Sequence, residues 1–320
     1  MKFDDNNVDL SGVDDQRGNN GGSPMGSGGM GPGQVAMAGG LSKMLGGGAG
    51  LTIVILIVLA MCSLGGGGTA PQSGGADNAL FEVPGSAQGV NGSLAERCPQ
   101  DAADGTFEDT DCLLVKSYNE ANEVWSGVFQ QAGQQLQTPK LTFFSGATRT
   151  ACGAADTNVG PFYCPGDERI YFDLGFTRQL EGLGVKGQYA MVYIMAHEYG
   201  HHLQNVLGIE QKVRRAQQSA RNPNNYSVAM ELQADCFAGV WGRLANDMGN
   251  VQITPEEFQQ ASQAAAAVGD DRIMESAGAR VNPEKFTHGS AKQREYWYTR
   301  GYQTGDINQC NTFKELGLPI

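Results

Sequence analysis

A mainly helical α+β body behind one transmembrane helix is what this sequence predicts, and three observations carry the prediction. Two short runs dense in β-branched and aromatic residues, Lys140–Phe144 (KLTFF) and Arg169–Leu174 (RIYFDL), read as strands. Around them stand several longer stretches with helical spacing or helix-start signals. Ahead of both lies an unbroken apolar run, Leu51–Leu64, set in glycine.

Along the chain, the N-terminal part comes first. Charged residues make up 18% of the 320, below the usual quarter, and more than half of the 46 glycines fall in the first 100 residues. Residues 1–43 hold Gly, Asn, Asp, Ser and Met with almost no large apolar side chain. Such a segment buries too little surface to offset its ordering entropy, so it reads as a disordered tail. As a helix, Leu51–Leu64 would be about 21 Å long, short of a ~30 Å hydrocarbon core. No charge occurs between Lys43 and Asp77, however, so the flanks extend the run, and residues 44–64 are predicted to cross a membrane once. Residues 65–94 read as a flexible linker and 95–320 as the folded body.

Lys43 precedes the span, and the next basic residue after it is Arg97. The positive-inside rule then predicts a cytoplasmic N-terminus and an extracytoplasmic body, periplasmic or extracellular. Cysteine usage points the same way. Cys62 falls in the span, and the body keeps an even set: Cys98, Cys112, Cys152, Cys164, Cys236 and Cys310. Short separations favour the 98/112 and 152/164 pairs in an oxidising compartment. For Cys236, a buried free thiol and a bond to Cys310 fit equally well. A net charge of −12 without a Lys/Arg run excludes nucleic acid as a partner. The sequence sets no oligomeric state.

Within the body, Leu113–Leu136 reads as a helix, with apolar residues at Val115, Tyr118, Val124, Val128 and Phe129. Gln188–Leu207 is a long apolar helix that Gly208 stops. Another helix runs from about Ser227 to Met248. Thr254-Pro255-Glu256-Glu257 is a capping box with proline at the first helical position. Ser290–Tyr302 is the last long helix.

The chemistry concentrates in AHEYGHHLQ, residues 196–204. Four residues apart on a helix, His197 and His201 project from one face, and their ring nitrogens can reach one Zn2+. Glu198 sits beside that pair, placed to take a proton from water rather than to bind metal. Three of the chain's four histidines stand here, on a helix otherwise apolar, where unpaired burial would be costly. A zinc hydrolase needs a third protein ligand. Position 207, where a metzincin would have histidine, is Leu207, so that class is excluded. The next candidates are Glu231 and Asp235 in SVAMELQADCFAGVW, again four apart on an apolar helix. Glu231 as ligand with Asp235 on the far nitrogen of His197 is one arrangement. Asp235 as ligand, or two solvated acids, are the others.

HEYGHHLQNVLG, ELQADCFAGVW, GPFYCPGDERIYFDL and THGSAKQR together resemble the neutral zinc metallopeptidases of bacterial membrane-anchored proteins, over roughly residues 95–315. The resemblance implies a zincin-like, gluzincin-type fold. It also implies zinc on His197, His201 and Glu231, Glu198 as general base, and a peptide or protein substrate. An oxyanion donor is still needed, for which His288 and Arg294 are the candidates, each with a capping or surface role as the plainer alternative. Tyr171 and Asp173 lie on a strand that could pair with an extended peptide, by analogy with other zinc peptidases. Two rival functions fit the same residues: a membrane-tethered binding protein with structural zinc, and a zinc amidase of cell-wall material.

Overall fold

The computed structural model describes residues 1–17, 92–102, 105–185 and 187–320. Its strands are β1 (Lys2–Phe3), β2 (Val13–Asp15), β3 (Lys140–Phe144), β4 (Ala147–Thr150), β5 (Gly153–Asp156), β6 (Phe162–Cys164), β7 (Arg169–Asp173) and β8 (Val251–Gln252). The helices are α1 (Leu94–Asp101), α2 (Thr110–Gln131), α3 (Phe176–Gly182), α4 (Tyr189–Val206), α5 (Ile209–Gln217), α6 (Asn224–Met248), α7 (Pro255–Ala267), α8 (Asp270–Ser276), α9 (Ala291–Thr304) and α10 (Thr312–Glu315). The mainly helical α+β reading therefore holds.

One four-stranded sheet runs β2-β3-β7-β6. β3 is parallel to both β2 and β7, whereas β6 lies antiparallel to β7 with Phe162 opposite Tyr171. β3 lines β7 along its whole length and β6 covers the other edge as far as Tyr171, which rules out strand addition at Tyr171. Tyr171 instead donates to Asp167 at 2.8 Å, and Asp173 accepts from Gly146, Thr157 and Gly175.

Helix α4 lies at the centre, with every residue from Tyr189 to Gly200 buried. Helix α2 packs on one side of it and α6 on another, and Trp125 meets Phe237 edge-on at 6.2 Å. Glycine sets the closest approaches. A Cβ on Gly200 would lie 3.0 Å from the Ala234 backbone, so α4 and α6 touch there main chain to main chain. At Gly239 a Cβ would overlap the Tyr298 carbonyl, and at Gly301 that of Cys236, which brings α6 equally close to α9. Three disulfides tie the outside to this core: Cys98–Cys112, Cys152–Cys164 and Cys236–Cys310. The first two match the spacing argument, and the third removes the alternative of a free thiol at Cys236.

The expected disordered tail needs correction at its start. Residues 1–17 are folded onto the body: β1 pairs with β8, β2 pairs with β3, and Phe3 is buried against Phe107. Composition misleads here because the segment's polar residues meet partners on the body instead of water. Among the described residues no helix is long and apolar enough to cross a membrane. The expected span 44–64, the rest of the tail and nearly all of the linker lie outside the described residues.

Candidate metal centre

His197 and His201, one turn apart on α4, face Glu231 across the Gly200–Ala234 contact. One ligand atom from each of the three falls within 4.8 Å of the others. Glu231 Oε2 is 3.2 Å from His197 Nε2, and Oε1 is 3.5 Å from His201 Nε2. Both Nε2 atoms therefore point at one carboxylate, and both Nδ1 atoms are engaged behind. His197 Nδ1 donates to Asp235 Oδ1 at 2.8 Å, and His201 Nδ1 donates to Gln204 Oε1 at 2.8 Å. A carboxylate and an amide oxygen only accept, so each fixes the tautomer that leaves Nε2 free to ligate. Two imidazoles and one carboxylate, converging and backed in this way, suit zinc with a position left for water.

The electrostatics agree. Burial alone would neutralise these groups, yet Glu231 is held well below the usual carboxylate range because His201 and His197 outweigh it. Burial likewise opposes Asp235, but Arg294 and His197 bring it down to about 2. Both imidazoles are pulled the other way. His197 rises to about 9 and His201 rises too, since facing carboxylates overcome desolvation. The pocket thus draws positive charge to the spot where the three ligand atoms meet.

Glu198 is buried beside this trio and is not part of it. Its Oε2 accepts the Tyr163 N–H of β6 at 2.8 Å, and burial pushes its carboxyl upward. His202, on the other side of α4, fastens the same strand. It donates through Nε2 to the Gln137 carbonyl at 2.6 Å and accepts from the Tyr163 hydroxyl at Nδ1, 3.0 Å away.

His288 sits in the loop before α9, buried, with Nδ1 3.2 Å from Asp270 Oδ1. The other Asp270 oxygen accepts three successive backbone N–H groups, from Thr287, His288 and Gly289, at 2.7, 2.7 and 3.0 Å. Gly289 (φ +93°) packs against Val228 and Leu232, on the turn of α6 that carries Glu231. The ring's Nε2 is buried without a hydrogen-bond partner.

Arg294 is no oxyanion donor. It is buried and spends its guanidinium on Asp235, with Nε to Oδ2 and Nη2 to Oδ1, both 2.8 Å. Tyr193 also donates to Asp235 Oδ1, at 2.5 Å. Sequence reasoning missed Tyr163, Tyr193, Gln204, Gln233 and Asp270. Of these, Gln204 alone carried a local signal, standing three residues after His201 on the same helix.

The chain resembles proteins known by sequence. It is 47% identical over 194 residues to the uncharacterized protein YpfJ of Escherichia coli K12, covering 60% of this chain and 67% of that one. It is 43% identical over 217 residues to the uncharacterized protein Rv2575 of Mycobacterium tuberculosis H37Rv, covering 65% and 72%. No solved structure matches. A family model matches residues 4–313, nearly the whole chain including the folded N-terminal segment, and zinc is the metal that this family implies. The chain belongs to the family described as "Putative neutral zinc metallopeptidase".

Proposed function

We propose that the protein is a zinc peptidase that hydrolyses peptide bonds in proteins or peptides. The observation that carries the reading is Glu198: a buried carboxylate beside three converging ligands yet outside them, with its proton affinity raised by burial. A structural zinc site would be closed by four protein ligands and has no use for such a group.

His197, His201 and Glu231 would hold the ion, and Asp235 and Gln204 would keep the two rings in register. When bound, zinc acidifies a water and polarises the substrate carbonyl. Glu198 takes the water's proton and delivers it to the leaving amine. Its carboxylate is aimed by the Tyr163 N–H, so the base is positioned before substrate arrives. His288, fixed by Asp270 at Nδ1, would as an imidazolium donate from Nε2 to the oxygen that gains charge. Three disulfides support an oxidising, extracytoplasmic compartment for the body. The run Leu51–Leu64 is the segment that would hold the protein at a membrane.

The test is zinc content and casein cleavage by the full chain in detergent, wild type beside Glu198→Gln. One zinc per chain in both, with cleavage by the wild type alone, is expected. Equal cleavage by both would overturn the mechanism, and zinc in neither would overturn the ligand set.

A further inference from the structure

Residues 1–17 are built into the body by several independent contacts. The Gln16 N–H reaches the Phe143 carbonyl at 2.8 Å and the Leu141 N–H reaches Gly12 at 3.0 Å, extending the parallel pairing of β2 with β3. Phe3 donates its N–H to Gly105 at 2.7 Å, and Gly105 donates in return to the Asn6 side chain at 2.8 Å. Asn119 exchanges two hydrogen bonds of 2.9 Å with Asp9. The charges are complementary as well. Lys116, a buried amine, reaches Asp5 at 2.6 Å, and Asp111, a buried carboxylate, reaches Arg17 at 2.9 Å. Arg169 meets Asp14 at 2.7 Å. Without the segment, β3 becomes an open sheet edge, and Lys116 and Asp111 each lose an ion-pair partner. The family match begins at residue 4, so it takes in most of this segment as well as the metal site.

We infer that residues 1–17 and the metal centre lie on the same side of the membrane, the segment serving as the body's own sheet-edge strand. A segment that crosses once puts its two ends on opposite faces. Residues 17 and 92 are instead two points on one folded body. A single crossing between residues 17 and 92 would be incompatible with this docking, so the orientation drawn from Lys43 alone gives way to the contacts. With the body extracytoplasmic, the first 17 residues are extracytoplasmic too. This inference does not depend on the zinc chemistry and stands or falls separately from it.

Lys2 and Gln252, both exposed, are direct partners in the antiparallel β1–β8 pair and serve as reporters. Lys2→Cys and Gln252→Cys, each in a full-length Cys62→Ser chain, are labelled in intact cells or spheroplasts with a membrane-impermeant maleimide, then again after lysis. Equal accessibility of the two positions before lysis is expected. If one position labels at once and the other only after lysis, the inference is overturned. The double variant supplies a second reading. A short permeant bis-maleimide, applied before solubilisation, should leave the N-terminal peptide attached to the body after proteolysis within residues 18–91. Loss of that peptide would overturn docking within one chain.

Discussion

Arg294 grips Asp235 with two parallel hydrogen bonds of 2.8 Å, and Asp235 in turn holds His197 Nδ1 at the same distance. A candidate ligand histidine is therefore oriented by a carboxylate whose own position is set by a buried guanidinium. Removing the guanidinium leaves a buried carboxylate short of its main counter-charge. Arg294→Ala should cost about 3–5 kcal/mol of stability, as losing one partner of a buried pair does. It should also weaken zinc retention about 10–100-fold. Arg294→Lys should fail to restore either, since an ammonium cannot form the fork. Denaturant melts and metal competition with a chelating dye measure both.

His288 separates binding from turnover. With its Nε2 unpartnered and its Nδ1 tied to Asp270, His288→Ala should lower kcat by about 10²–10³-fold while zinc content stays at one per chain. Asp270→Asn should give a smaller loss of kcat, because the three backbone bonds keep the loop in place but the ring is held less firmly. A fall in zinc content for His288→Ala would place the residue among the ligands instead.

His201 is backed by a longer chain of contacts. Gln204, its partner, donates to the Met230 carbonyl at 2.7 Å and to Gln233 at 3.1 Å, and Gln233 donates to the Cys310 carbonyl at 2.9 Å. The Cys236–Cys310 bond fastens that carbonyl to α6, the helix of Glu231. Gln233→Ala should therefore speed zinc loss about 10-fold or more, by the usual cost of removing an outer support. Reduction of the disulfides should do the same in wild type. Zinc release into a chromogenic chelator, with and without reductant, reads both.

Acid should loosen the N-terminal seam. Burial tends to raise Asp111, but Arg97 and Arg17 outweigh it and hold it below the ordinary 3.8. Its folded pKa is thus depressed, so the stability it contributes is complete above about pH 3.8 and is lost as pH falls through the lower folded value. Asp111→Asn should flatten the stability curve across that window. Phe3→Ala should cost about 3–5 kcal/mol at neutral pH, the usual range for a fully buried Phe. Thermal melts as a function of pH check the pair.

Much of the metal site was legible because α-helical spacing turns sequence distance into geometry. His197 and His201 needed only their four-residue interval, and Glu231 with Asp235 repeated it on a second helix. Strand and helix positions followed from local signals too, such as the Thr254 side chain accepting the Glu257 N–H. What sequence could not supply were meetings between distant segments. Arg294 looked like a surface residue until Gly239 and Gly301 let α6 and α9 close upon each other. The first 17 residues, read by composition, carry charges that are satisfied only by Lys116, Asp111 and Arg169 more than ninety positions away. A body cut at residue 90 would lose that segment, so assays belong on the full chain.

The backbone contacts at Gly200 and at Gly239–Gly301 have a mechanical consequence. Helices whose main chains touch can neither roll nor slide without first coming apart, so α4, α6 and α9 form one anvil beneath the candidate metal centre. Strand β6, by contrast, meets α4 through Tyr163, whose N–H holds Glu198 and whose hydroxyl meets His202 and Asn205. Any shift of β6 against that rigid unit would carry the support of the Glu198 carboxylate with it.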